Sequence, residues 1–173
     1  MCNRFSLAEE RDFLATRLGV PAIALANYRP RYNIAPQQEH FIITTEYERR
    51  KLTAAKWGLV TNPDQHGRPR YLINARAETL ESRPTFAEAF ARQRCVIPAS
   101  GFYEWTGPSS ARQPFWIHRR DGDLVLFGGL YQDAEKKRPG YSISVHDPDL
   151  CSELNARRDP RSNAGDFIRP GRR

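Results

Sequence analysis

With 173 residues, 39% of them hydrophobic and 27% charged, the chain has the length and composition of one globular domain with a real core, which sets aside a disordered chain and two ordinary domains. Its net charge of +7 favours a polyanionic partner, and residues 155–173 supply most of it, with six arginines against two aspartates. No apolar run approaches the ~20 residues of a membrane helix, and Arg4, Glu9, Glu10, Arg11 and Asp12 interrupt any signal-peptide core, so the expected location is the cytosol.

The chain opens Met1-Cys2-Asn3-Arg4-Phe5. Methionine before a small residue is normally clipped, which makes Cys2 the expected first residue. Its α-amine then has a reference pKa of roughly 7.7 to 8.0 and its thiol one of ~8.5. Carried on adjacent carbons, the two can condense with an aldehyde to an imine and close to a five-membered thiazolidine, which no internal cysteine can do. A frayed, inert terminus is the plain alternative. Cys2, Cys95 and Cys151 show neither paired nor metal-ligand spacing, and Cys95, in the apolar run to Pro98, reads as a small buried residue. His40, His66, His118 and His146 are scattered, so no metal and no other cofactor is expected.

Ser6-Leu7-Ala8-Glu9 has the pattern of a capping box, and Leu7, Leu14 and Leu18 recur at helical spacing up to Gly19, predicting a helix over roughly 7 to 18. Pro30 and Pro36 force extended or turn geometry on Arg31-Tyr32-Asn33-Ile34-Ala35. Residues 39 to 46 and 51 to 60 read as a strand hairpin, 61 to 70 as loop, and Tyr71-Leu72-Ile73 as a strand. A second box, Thr85-Phe86-Ala87-Glu88, opens a short amphipathic helix to about Arg94.

Strands are then expected near 95 to 98, 101 to 105, 114 to 119, 124 to 130 and 141 to 145, with Asp121-Gly122 as a hairpin turn. Many short strands, two helices and few parallel-crossover signals predict an α+β fold: a mostly antiparallel, barrel-like sheet core flanked by short helices. The expected domain spans 1–146, incomplete at its C-terminal end. Residues 147–173 lack any apolar period and read as a basic, disordered tail.

Polar residues inside apolar strand text are the informative ones, because burying them costs free energy unless they find partners. Asn74 and Arg76, two apart, share a strand face. Glu104 stands among aromatics in Gly101-Phe102-Tyr103-Glu104-Trp105, where burial would raise its pKa and allow proton exchange near neutrality; a surface position on an edge strand is the alternative. Arg4 and Arg76 are candidate phosphate ligands, and Trp57, Tyr103 and Trp105 candidate stacking platforms for bases. Core packing for the aromatics and solvation for the arginines are the competing readings.

Five segments, Met1-Cys2-x-Arg4-Phe5, Arg31 to Pro36, Trp57-Gly58-Leu59, Leu72 to Thr79 and Cys95 to Trp105, run in the order and approximate spacing of the SOS response-associated peptidase (SRAP) family, which the chain resembles from residue 1 to about 145. The resemblance implies an abasic-site processing protein, acting in the DNA damage response, that binds single-stranded DNA as a monomer. It captures the open-chain aldehyde of a lost-base deoxyribose as a thiazolidine on its terminal cysteine. Cys2 is then the nucleophile, Asn74 orients the cysteine amine and the sugar, and Glu104 shuttles protons. Arg4, Arg76, Asn33 and Trp57 are the DNA-binding set, the two arginines at phosphates flanking the lesion. The peptidase activity of the name reduces here to removal of Met1.

Family members also carry a His-x-Arg-Met-Pro segment after the strand matching 141 to 145. Here the text after Val145 lacks it, and His146 stands too early and in the wrong context to take the role. A shift of coding frame near residue 144 is one explanation of that break and a natural ending the other, and translating the underlying DNA in the other two frames decides between them. Two other functions stay open: a noncovalent single-strand DNA binder with an inactive site, and an N-terminal-nucleophile amidohydrolase. The latter requires an oxyanion hole and an amide site to which nothing after Arg4 points.

Overall fold

The computed structural model describes residues 3–47, 49–132, 140–145 and 168–170; Cys2, His146 and Cys151 lie outside the described residues. In chain order the elements are β1 (Phe5–Leu7), α1 (Arg11–Leu18), a 3-10 turn over Ala22–Leu25, β2 (Arg31–Ile34), β3 (Glu39–Glu46), β4 (Arg49–Trp57), β5 (Leu59–Thr61), β6 (Arg70–Leu72) and β7 (Asn74–Arg76). A 3-10 turn over Ala77–Thr79 follows, then α2 (Pro84–Arg92), β8 (Arg94–Ala99), β9 (Gly101–Thr106), β10 (Gln113–His118), β11 (Val125–Gln132), β12 (Gly140–Val145) and β13 (Ile168–Pro170).

β11 pairs with both β8 and β12, so β11, β8, β3, β4 and β12 close on themselves, and β7 is attached along β12. A second sheet runs β13-β10-β9-β1-β2, and β5 and β6 form a two-stranded ribbon. The architecture is the α+β, mostly antiparallel, barrel-like one that the sequence predicts. The parallel pairings are those of β12, which runs alongside β4 and β7.

Strand alternation explains the core. Ile42, Trp57, Ile97, Tyr141 and Ile143 fall on the buried side of their strands and join one cluster. The second sheet adds Phe5, whose ring lies 4.9 Å from His40, 5.2 Å from Trp57 and 6.2 Å from Phe127. Each such side chain contributes ~1.5–3 kcal/mol by leaving water. α2 presents Phe86 and Ala89 to a second cluster containing Leu59, Ala75, Leu80 and Leu130.

The β3–β4 hairpin forms as expected, with Glu39 opposite Lys56 and Glu46 opposite Arg49. Gly19 does end the first helix. At φ 65° and ψ 40° it turns the chain left-handed, and Val20 N–H then reaches Ala15 O at 3.1 Å.

The helix starts later than predicted, because Ser6 is not a cap. It lies in β1, where its hydroxyl donates to Gly101 O at 3.3 Å and accepts from Trp116 Nε1 at 3.1 Å. Pairing of β1 with β2 and β9 outcompetes the local box, and Glu10 takes the N-cap position without a side-chain bond. In α2, Pro84 at the first turn displaces Thr85 from the expected cap; its fixed φ and missing N–H suit that place.

Asp121-Gly122 does turn the chain, with Gly122 at φ 73°, but it joins no hairpin, since β10 and β11 belong to different sheets. In the 147–173 segment, Ile168–Pro170 forms β13 along β10. Backbone pairing with an edge strand requires no apolar alternation, so the sequence pattern carried no sign of it.

Candidate functional site

β1 is a three-residue strand held between β2 and β9, and this double pairing positions the residues just before it. Arg4 O accepts from Tyr103 N–H at 2.9 Å, continuing the register in which Phe5 faces Phe102. Glu104 is the next residue of β9 after Tyr103. Glu104 shares a strand face with Phe102 and is half-buried, with Phe115 as its partner on β10.

Asn74 reaches the same place from the other sheet. It opens β7, opposite Ile143 of β12, and its Nδ2 donates to Asn3 Oδ1 at 3.4 Å. Ala75 points the other way, 2% exposed, in the cluster under α2. Arg76, two residues on, is therefore on the Asn74 side and exposed.

Asn33 is exposed on β2, beside Tyr32, whose carbonyl accepts from the Tyr103 hydroxyl at 2.9 Å. Burial pushes the Tyr103 pKa up, which keeps that hydroxyl a neutral donor. Arg4 is partly buried and donates from Nη1 to Asn3 O at 3.0 Å. Asn3, Arg4, Asn33, Asn74, Tyr103 and Glu104 thus stand on strands β2, β7 and β9 and on the segment leading into β1, with Arg76 two residues beyond Asn74 on β7. Cys2, the residue before Asn3, lies outside the described residues.

Trp57 departs from its expected place. Its ring is 0% exposed, stacked on Tyr141 at 6.3 Å and packed on Phe5, so no base can lie on it. Its indole Nε1 instead donates to Ile73 O at 2.7 Å, fixing the backbone immediately before Asn74. This positioning role was missed from sequence; the buried alternation Ala55, Trp57, Leu59 is the signal that points to it. Trp105, at 36% exposure, is the aromatic of β9 open to solvent.

Cys95 and His40 are structural. The Cys95 thiol is buried and pushed up to about 12 by desolvation. His40 is buried with Nε2 at 3.2 Å from Pro98 O, and burial lowers its pKa to about 3. Among the described residues there is no grouping of His, Cys, Asp or Glu able to hold a metal ion, and no helix is long and apolar enough to cross a membrane.

The family profile described as SOS response associated peptidase (SRAP) matches residues 1–152. The abasic site processing protein YoqW of Bacillus subtilis (strain 168) is 34% identical over 150 residues, covering 84% of this chain and 67% of that protein. The abasic site processing protein YobE of the same organism is 33% identical over 135 residues, covering 76% and 62%. The chain therefore spans about two thirds or less of the length of these relatives. Among solved structures, a phage-related protein of Bordetella bronchiseptica superposes with a TM-score of 0.63 at 27% identity, covering 86% of this chain and 70% of that one.

Proposed function

From the premise that the chain belongs to the SOS response-associated peptidase family, we propose that it processes abasic sites in single-stranded DNA, capturing the lesion covalently through Cys2. The observation that carries this reading is the 3.4 Å contact from Asn74 Nδ2 to Asn3 Oδ1, which ties β7 to the residue next to Cys2.

With Cys2 as first residue, its neutral amine attacks the C1′ aldehyde of the ring-opened deoxyribose, and loss of one water gives the imine. The thiol then adds across the imine, its sulfur to carbon and its proton to nitrogen, closing the thiazolidine. Glu104, on β9 next to the residue that bonds Arg4, takes the hemiacetal proton as the sugar opens and returns one to the departing hydroxyl. Asn74 orients the amine and the sugar through its amide. Arg4 and Arg76 hold the phosphates on either side, and Asn33 bonds the strand from β2.

The test is an oligonucleotide carrying one abasic site, incubated with the protein and run on a denaturing gel. A stable adduct is expected, lost in Cys2→Ser and absent with intact DNA. Salt-sensitive binding without any adduct would instead leave a noncovalent single-strand binder.

A further inference from the structure

We propose that the tip of the β3–β4 hairpin, with the 3-10 turn at Ala22–Leu25, docks an acidic peptide segment of a partner protein that carries an apolar anchor. The two elements flank a groove of about 590 Å³ lined by Ala24, Tyr47 and Leu52 and by Arg49 and Arg50, with the ion pair of Glu46 and Lys51 also on its wall. Tyr47, which lines it, is 93% exposed, and Ile23, beside Ala24 on the 3-10 turn, is 80% exposed, so both elements offer apolar surface to water.

Tyr47 is also held at φ 47°. Hairpin loops that need this left-handed backbone favour asparagine, aspartate or glycine, and an aromatic side chain there costs free energy that burial does not return at 93% exposure. Strained, exposed residues point to a use outside the fold.

The charge around Tyr47 defines the occupant. Arg50 donates from Nη1 to Leu18 O at 2.9 Å, which caps α1 and fixes the guanidinium at the groove. Lys51 holds Glu46 at 2.6 Å. Over residues 46–51 three cations stand against two glutamates, and among the described residues no carboxylate pairs with Arg49 or Arg50. Tyrosine and arginine around an apolar pocket are the residues that dominate protein interfaces. One groove with two arginines fits an anchored acidic peptide better than the run of phosphates along a nucleic acid.

This surface is separate from the proposed DNA site. Arg49 and Trp57 stand at opposite ends of the nine-residue β4, roughly 26 Å apart at about 3.3 Å per residue, and it is Trp57 that holds the backbone beside Asn74.

The probe is a short fluorescein-labelled peptide alternating glutamate with leucine and phenylalanine, titrated with the full chain and read by anisotropy. Saturable binding is expected, weakened about tenfold or more in Tyr47→Gly and in Arg49→Glu. Tyr47→Gly relieves the backbone, so its melting temperature should hold or rise, separating lost docking from lost fold. Single-strand DNA binding should be unchanged in both variants. Three results overturn the proposal: undiminished peptide binding in Tyr47→Gly, equal binding of a peptide with lysine in place of glutamate, or displacement of the peptide by oligothymidine in a manner dependent on Arg49, which would assign the face to nucleic acid.

Discussion

Trp57 donates its indole N–H to the carbonyl of Ile73 at 2.7 Å, and through that bond the interior of the barrel sets the position of Asn74. The ring is stacked on Tyr141 and pressed by Phe5, the first residue of β1. One buried side chain therefore touches both strands that converge on Asn3. Trp57→Phe keeps most of the packing and removes this donor, while Ile143 N–H still reaches the Ile73 carbonyl at 3.1 Å. A loss of about 0.5–1.5 kcal/mol is expected in denaturant unfolding, together with a larger fall in adduct yield than stability alone explains.

Ser142 makes the opposite case. It is 0% exposed in β12, and its hydroxyl has no hydrogen-bond partner among the described residues. A buried hydroxyl without a partner destabilises the folded state, so Ser142→Ala should be neutral or stabilising, by up to ~1 kcal/mol. Equilibrium unfolding reads it directly, and a loss above that size would show that the hydroxyl is bonded in solution.

What was legible in the sequence was what is local. The β3–β4 hairpin announced itself in Phe41-Ile42-Ile43-Thr44-Thr45, and the five ordered motifs announced the family. What was not legible depended on partners far along the chain. Ser6 and Glu9 spell a capping box, yet Gly101 and Trp116 claim Ser6 from more than 90 residues away. Asn3 and Asn74 are 71 residues apart, and no local pattern says that they touch. Trp57 reads more readily as a core residue than as a base platform, and the choice is made when its neighbours Phe5 and Tyr141 are placed.

His40 gives the fold a pH dependence with a defined sign. Burial lowers its pKa from 6.5 to about 3, with nearby Arg31 adding to the effect and the Pro98 carbonyl opposing it. Between those values the unfolded chain binds the proton that the folded one refuses, so stability is full above pH 6.5 and lost as the pH falls toward 3. The slope from this group is about 1.4 kcal/mol per pH unit. Unfolding curves at neutral and mildly acid pH should show it, and His40→Gln should flatten it.

Arg76, the proposed phosphate ligand of β7, is exposed two residues beyond Asn74. Arg76→Ala should weaken binding of single-stranded DNA by a similar factor for any sequence and reduce the dependence of log K on log salt by about 0.7. Anisotropy titrations across a salt series measure both. Unchanged slope with unchanged affinity would remove Arg76 from the DNA path.

Glu104 separates binding from chemistry. It is half-buried on the Phe102 side of β9, whereas Arg76 is exposed on β7. Replacing it by glutamine preserves shape and most hydrogen-bonding capacity while removing the proton that can be given or taken. Glu104→Gln should therefore leave affinity for intact single strands nearly unchanged and slow adduct formation on abasic strands about 100-fold or more, the range of general acid–base catalysis. Time courses on denaturing gels, run across pH, distinguish this from a positioning role: loss of proton transfer flattens the pH profile of the rate, whereas loss of position lowers it evenly. An even drop would move Glu104 from proton carrier to scaffold and leave ring opening to solvent.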